Sequence, residues 1–310
     1  MIPNVLNRSQ KRNTMRNNRS WDFIECGGVI AFLILFTISV GLSQSPDTID
    51  LWQKNVPEET AQKHPPVVTP DHKGDVTRLT DVTDPLLLVY KPEESKRRDV
   101  GVIVCPGGGY KILAIDKEGT EIAAWLNSFG ITAFVLEYRV PDDWDGANQD
   151  MQRAVRIVRS KFINQNHELS TLGVIGFSAG AHLCARVSTH YNDQAYTPED
   201  NADTLSCRPD FTLLIYPAEL INKDSLTLRP EVSITQNLPP IFIMGTADDS
   251  HGKNPLVFAL ALREAKIHFE MHYLPTGGHG YGLRKGNIAA EYWPPVAMQW
   301  IEKTLESLKK

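Results

Sequence analysis

The stretch Leu172-Gly-Val-Ile-Gly-Phe-Ser-Ala-Gly-Ala-His-Leu-Cys-Ala-Arg186 decides how this chain is read. Its first six residues form a short apolar run, as a strand buried on both faces should. Ala181 to Arg186 suit a helix. Between them stands Gly176-Phe177-Ser178-Ala179-Gly180, a G-x-S-x-G turn. In a strand–turn–helix setting such a turn strains the serine backbone and lifts its hydroxyl clear of the sheet. Strand and helix come so close that a side chain two residues before or after the serine would clash, so glycine is needed at both places. Ser178 is the candidate nucleophile.

Outward from this turn, the strand signature recurs. Leu86–Tyr90, Val100–Cys105, Ile131–Tyr138, Phe211–Tyr216, Pro240–Met244 and Ile267–Tyr273 are short and rich in β-branched and aromatic residues. Helical patterns lie between several of them. Glu118–Phe129 gathers Ile122, Ala123, Leu126 and Phe129 on one face, Asn148–Phe162 gathers Met151, Ala154, Val155, Ile157 and Val158, and Pro255–Lys266 gathers Val257, Leu260, Ala261 and Leu262. Alternating strands and helices predict a mostly parallel α/β sheet with helices on both faces. The 310 residues are 42% hydrophobic and 22% charged, ordinary globular usage that excludes disordered, collagenous and coiled-coil classes.

Three further segments follow predicted strands. Cys105-Pro106-Gly107-Gly108-Gly109-Tyr110 is a glycine loop whose backbone can approach a substrate closely. With the N–H of Ala179, the N–H groups of Gly108 and Gly109 are candidates for an oxyanion hole. Met244-Gly-Thr-Ala-Asp248-Asp249 offers an acid, and Gly277-Gly278-His279-Gly280 offers a base. A serine hydroxyl is a poor nucleophile until a neutral imidazole takes its proton, and a carboxylate must orient that imidazole. Ser178, Asp248 and His279 therefore form the expected triad. Asp248 is preferred to its neighbour Asp249. His182 and His251 are poorer bases, because neither follows the last strand in a glycine-rich turn. No G-K-[ST] follows the glycine loop, so a phosphate-cradling loop is excluded. The chemistry needs no metal or cofactor.

Charge is unevenly spread. The net of −5 divides into +3 on residues 1–26 and −8 on residues 44–310, and residues 27–43 carry none. A basic segment, an apolar run from Val29 to Val40 and the small residues Gly41 and Ser43 predict a secretory signal at 1–43. Retained instead of cleaved, residues 27–42 would act as a membrane tether, and Met15 as the start would shorten the leader. Either way the rest is exported, to the periplasm or beyond. Residues 44–83, with Pro46, Pro57, Pro65, Pro66 and Pro70, are read as a polar lead-in without a domain of its own, and 84–310 as the catalytic domain. Of the cysteines after the leader, Cys105 and Cys184 are expected to be buried free thiols; Cys207 is the third. The acidic balance offers nucleic acid no clustered basic face.

These motifs resemble the α/β-hydrolase superfamily over roughly residues 84–308. More narrowly the chain is similar to exported bacterial acetyl xylan esterase-like and feruloyl/acetyl esterase-like proteins. The residues carrying that likeness are Val104–Tyr110, Lys117-Glu-Gly119, Trp125-Leu-Asn, Ala133–Arg139, Asp150-Met-Gln-Arg-Ala154, Gly176–His182 and Gly278-His-Gly280. The resemblance implies the α/β-hydrolase fold and a serine carboxylesterase that removes acetyl or related groups from carbohydrate or a small ester. It departs after Asp249, where many relatives continue with a Val-Pro pair and this chain has Ser250-His-Gly-Lys-Asn-Pro255. A prolyl-oligopeptidase-type peptidase shares the triad order, but the lead-in before residue 84 is too short for that family's propeller. A binding module of the same fold would be expected to lack a triad member. Ala218–Leu238, where this superfamily inserts its lids, is short and polar, so the site is expected to be open and suited to small acyl groups.

Overall fold

In the computed structural model, which describes residues 46–71, 73–235 and 237–309, the central apolar run forms the middle of an eight-stranded sheet. From edge to edge the strands are β1 (Asp47–Asp50), β4 (Leu86–Tyr90), β7 (Thr132–Glu137), β5 (Val100–Cys105), β8 (Thr171–Phe177), β9 (Phe211–Ile215), β10 (Ile241–Thr246) and β11 (Phe269–Leu274). From β7 to β11 every neighbouring pair is parallel, and only β4 runs against the rest. Strands β5, β7, β8, β9 and β10 are buried almost end to end, which is why their sequences read as continuous apolar runs. A second, small sheet holds β2 (Val67–Val68), β3 (Arg78–Thr80) and β6 (Leu113–Ala114).

The helices are α1 (Glu121–Ser128), α2 (Trp144–Val158), α3 (Ala179–Thr189), α4 (Lys253–Glu264) and α5 (Ile288–Leu308). Alternation along β8 separates two of them. A Cβ on Gly176 would meet α3 at Gly180 and Ala181, whereas the next side chain, Phe177, packs edge-on against Trp293 of α5 with ring centroids 5.9 Å apart. Successive strand residues point to opposite faces, so α3 and α5 cover opposite sides of the sheet. Trp125 joins α1 to α5 through the same Trp293. Helix α2 starts at Trp144, four residues before the predicted start, because the Asp143 carboxylate accepts the Gly146 amide at 2.7 Å and caps it. Sequence periodicity assigns no element to α5, which contains Pro294 and Pro295. Its first turn is capped by Asn287, and Trp293, Ala297, Trp300, Ile301 and Leu305 are buried along it. Packing thus offsets the backbone hydrogen bonds that the prolines remove.

The predicted lead-in is corrected over its described residues, 46–71 and 73–83: they are part of the same domain as the later strands. Strand β1 adds to the sheet edge beside β4, and Leu51, Trp52, Val56, Leu79 and Val82 are buried. The Asp150-Met-Gln-Arg-Ala154 motif on α2 holds this segment. Trp52 Nε1 donates to Asp150 Oδ1 at 2.8 Å, and Arg153 Nε donates to the Leu51 carbonyl at 2.9 Å. Asp150, fully buried, also takes hydrogen bonds from the Arg139 amide and guanidinium. The prolines mask this role, because short edge elements tied down by distant side chains leave no local periodicity. The leader predicted over 1–43 lies outside the described residues.

Removing the charge of Asp150 would strand a buried guanidinium. Asp150→Asn is expected to lower unfolding free energy by about 3–5 kcal/mol, read by denaturant titration. A loss below about 1 kcal/mol would mean that the lead-in is held mainly by burial of Trp52.

Candidate active site

Ser178 stands between β8 and α3 with φ 53° and ψ −118°, a backbone conformation that a side-chain-bearing residue rarely adopts. Such strain persists only where the surroundings over-determine it. Here the Ser178 carbonyl accepts amides from Ala181, His182 and Ala218, and its own amide donates to Ile215. The expected glycine requirement holds. A Cβ on Gly176 would run into the Gly180 carbonyl, and one on Gly180 into that of Cys105.

The turn after β11 brings His279 to the serine, with Nε2 2.7 Å from Ser178 Oγ. On the other ring nitrogen, Nδ1 lies 2.7 Å from Asp249 Oδ2. The acid predicted from sequence is therefore corrected: the imidazole is held by Asp249, not Asp248. Asp249 is buried, and its second oxygen accepts the His251 amide at 2.7 Å. Asp248 is exposed and accepts the amides of Gly277 and Gly278, at 3.2 and 2.8 Å. The Gly278 amide leads the effects that hold its carboxyl below the usual range. Asp248 thus braces the backbone turn that carries His279. Both carboxylates serve the histidine loop, one through the ring and one through the main chain, and sequence distance cannot tell these roles apart.

The other candidate bases stand aside. His182 is fully buried, 2.7 Å from the Tyr110 hydroxyl, and burial pushes its pKa down. His251 packs its ring 4.8 Å from that of His279 and does not reach the serine; burial and the neighbouring imidazole lower its pKa.

The glycine loop follows β5 as predicted. Gly108 and Gly109 have φ of 139° and 64°, and a Cβ on Gly108 would run into Ile112. Their amides and that of Ala179 have no acceptor among the described residues. The Gly107 amide is already taken by Glu118, at 2.8 Å. Gly108, Gly109, Ser178 and His279 line one cleft of about 440 Å³. Its walls include Val76 and Arg78 from the lead-in, Ile112 and Ala114, and Ala218, Glu219 and His251. Sequence reading missed the contribution of Val76 and Arg78, since they approach Ser178 only through the small second sheet. It also missed Tyr216, whose ring packs 5.2 Å from His279. The signal in hand was position alone, at the carboxyl end of a strand, where open α/β sheets place their sites.

No group of three or more His, Cys, Asp or Glu able to hold a metal occurs among the described residues. Among them, Cys105, Cys184 and Cys207 are buried and unpaired.

A strained serine between strand and helix, met by an imidazole carried beyond the last strand of a mostly parallel sheet, defines an α/β-hydrolase fold. The BD-FAE family matches residues 87–210. The crystal structure of an acetyl ester-xyloside bifunctional hydrolase from Caldicellulosiruptor lactoaceticus is 31% identical, with a TM-score of 0.67, over 85% of this chain and 98% of that one. Endo-1,4-beta-xylanase B of Butyrivibrio fibrisolvens is 30% identical over 271 residues, which is 76% of this chain and 42% of the relative. Acetylxylan esterase of Xylanibacter ruminicola is 30% identical over 234 residues, 66% of this chain and 45% of the relative. The chain spans less than half the length of these two relatives. It belongs to the BD-FAE family of α/β hydrolases.

Proposed function

We propose that this protein is an exported serine esterase that removes short, acetyl-type acyl groups from plant polysaccharide such as xylan. The observation that carries the chemistry is the hydrogen-bonded series Ser178 Oγ, His279 and Asp249, at 2.7 Å for each link. In this reading Asp249 holds the Nδ1–H tautomer, leaving Nε2 to accept the serine proton. Ser178 Oγ attacks the ester carbonyl, and the amides of Gly108, Gly109 and Ala179 receive the oxyanion. As the bond from the acyl carbon to the sugar oxygen breaks, His279 protonates that oxygen, which leaves as the free hydroxyl and leaves an acyl-serine. A water molecule attacks that acyl group, giving its proton to His279, which returns it to Ser178 as the carboxylic acid leaves. The carbohydrate part is supported by the relatives named for xylan and acetylxylan. Export is supported by the basic and apolar pattern of residues 1–43. A fluorophosphonate probe should modify Ser178 of the purified protein, mapped by mass spectrometry. Failure to label, with the protein folded, would remove the acyl-serine mechanism.

The cleft also bears on acyl length. The segment Ala218–Leu238 folds down onto the body: Leu220 and Ile221 donate their amides to Asn254, and Val232 is buried. Its exposed run, Asn222–Thr227, includes Lys223 and Asp224 and a single apolar side chain, Leu226. That arrangement provides little apolar wall for a long chain, where each buried methylene would contribute about 0.8 kcal/mol. Acetyl p-nitrophenyl ester is expected to exceed the octanoyl ester by at least about tenfold in kcat/KM. The check is an acyl series at fixed alcohol. A rate climbing steadily with chain length would point to a lipase-like site.

A further inference from the structure

The Lys117-Glu-Gly119 motif belongs to the family likeness but has no part in the chemistry above. Glu118 is 4% exposed, an unusual place for a carboxylate. It sits in the widened helical turn Asp116–Thr120 that precedes α1 and lines the cleft with Ser178 and His279. One oxygen accepts the Gly107 amide at 2.8 Å; the other accepts the Tyr216 hydroxyl at 2.9 Å. Tyr216 in turn accepts the Gly282 amide at 3.1 Å and lays its ring against His279 and Tyr281. It leaves β9 with φ 38°, its amide donating to Met244. A Cβ at Gly280 would lie 4.0 Å from the Glu118 carboxylate.

Three strand-end segments therefore converge on one buried carboxylate: the glycine loop after β5, the exit of β9 and the histidine loop after β11. We propose that Glu118 is a positioning residue that locks the Gly107–Gly109 loop in register with the Tyr216–His279 side of the site. The inference rests on the serine-esterase reading and adds the device that aligns its two halves. Burying a carboxylate is costly unless its oxygens are hydrogen-bonded, and bonds to the ionised form are short and strong. Burial pushes the Glu118 carboxyl up, while the bonds from Tyr216 and Gly107 and the nearby His279 oppose that rise. The Gly107 bond sets the loop immediately before the Gly108 and Gly109 amides. Tyr216 relays the same anchor to the backbone amide of Gly282, three residues after His279. A loop displaced by a fraction of an ångström would still bind substrate but would meet the oxyanion poorly.

The experiment compares Glu118→Gln, Tyr216→Phe and the double variant on a short-chain p-nitrophenyl ester. Glutamine keeps the shape but supplies one acceptor in place of two. Phenylalanine keeps the ring and removes the relay. Each single variant is expected to lose about 10- to 100-fold in kcat with KM changed less than about threefold. The double variant should fall no more than about threefold below the worse single, because both cut one chain of contacts. Either kcat within about twofold of wild type in a folded single variant, or additive losses in the double, would overturn the proposal. If Glu118→Gln does not fold, Tyr216→Phe alone decides it by the same kcat criterion. Fluorophosphonate labelling of wild-type Ser178 separates the two readings. An unlabelled wild type sinks the esterase mechanism, whereas a labelled wild type with an unimpaired Glu118→Gln sinks only the role of Glu118.

Discussion

Asp249→Asn should cost about 10⁴-fold in kcat, the scale seen when the carboxylate of a serine-protease triad is made an amide, while Asp248→Asn should cost less than about tenfold. The asymmetry follows from what each carboxylate touches. Asp249 is buried against the imidazole and can hold only the tautomer with a proton on Nδ1. An amide there can present its NH₂ to Nδ1, favouring the tautomer whose Nε2 carries the proton and cannot accept one from Ser178. Asp248 is exposed and accepts two backbone amides of the glycine turn. Asparagine keeps one acceptor for that turn, and solvent can satisfy what remains. The comparison needs kcat for both purified variants on one ester. The reverse ranking would show that the working turn places Asp248, not Asp249, against the histidine.

Ser178→Ala should lower kcat by at least about 10³-fold, leaving the contributions of the oxyanion amides and of binding. The fold should be retained. Alanine keeps the same Cβ, so the strain at φ 53° is unchanged, and the three amides bound to the residue 178 carbonyl remain. What disappears is the hydroxyl 2.7 Å from His279. Unfolding should therefore shift little while turnover collapses. Near-wild-type turnover in the pure variant would take the acyl-serine mechanism away from this residue.

Much of this was legible in sequence because it is local. The strand–G-x-S-x-G–helix unit needs glycines where two backbones nearly touch, and that need appears as residue identity. Buried parallel strands announce themselves as unbroken apolar runs, and each predicted strand is present within a few residues. Ser178 and His279 stood out because each follows such a run in a turn of restricted composition. The elements that escaped are those whose reasons lie elsewhere in the chain. Strand β1 looks like polar linker until Asp150 and Arg153, about a hundred residues away, are seen to hold Trp52 and Leu51. Helix α5 contains two prolines that local propensity counts against a helix, and the sheet it packs on overrides them.

An α/β-hydrolase fold, with Ser178 and His279 as candidate nucleophile and base, could be read from sequence alone, since both residues are marked by short-range backbone demands. The choice between Asp248 and Asp249 came from the three-dimensional arrangement, which also revealed Glu118 as the meeting point of three loops. Adjacent residues at a turn share the same local signals, but their side chains leave the backbone in different directions. Which carboxylate meets the imidazole depends on how β10 and β11 are paired and on the path of the turn after β11, and those are set by packing across the whole sheet.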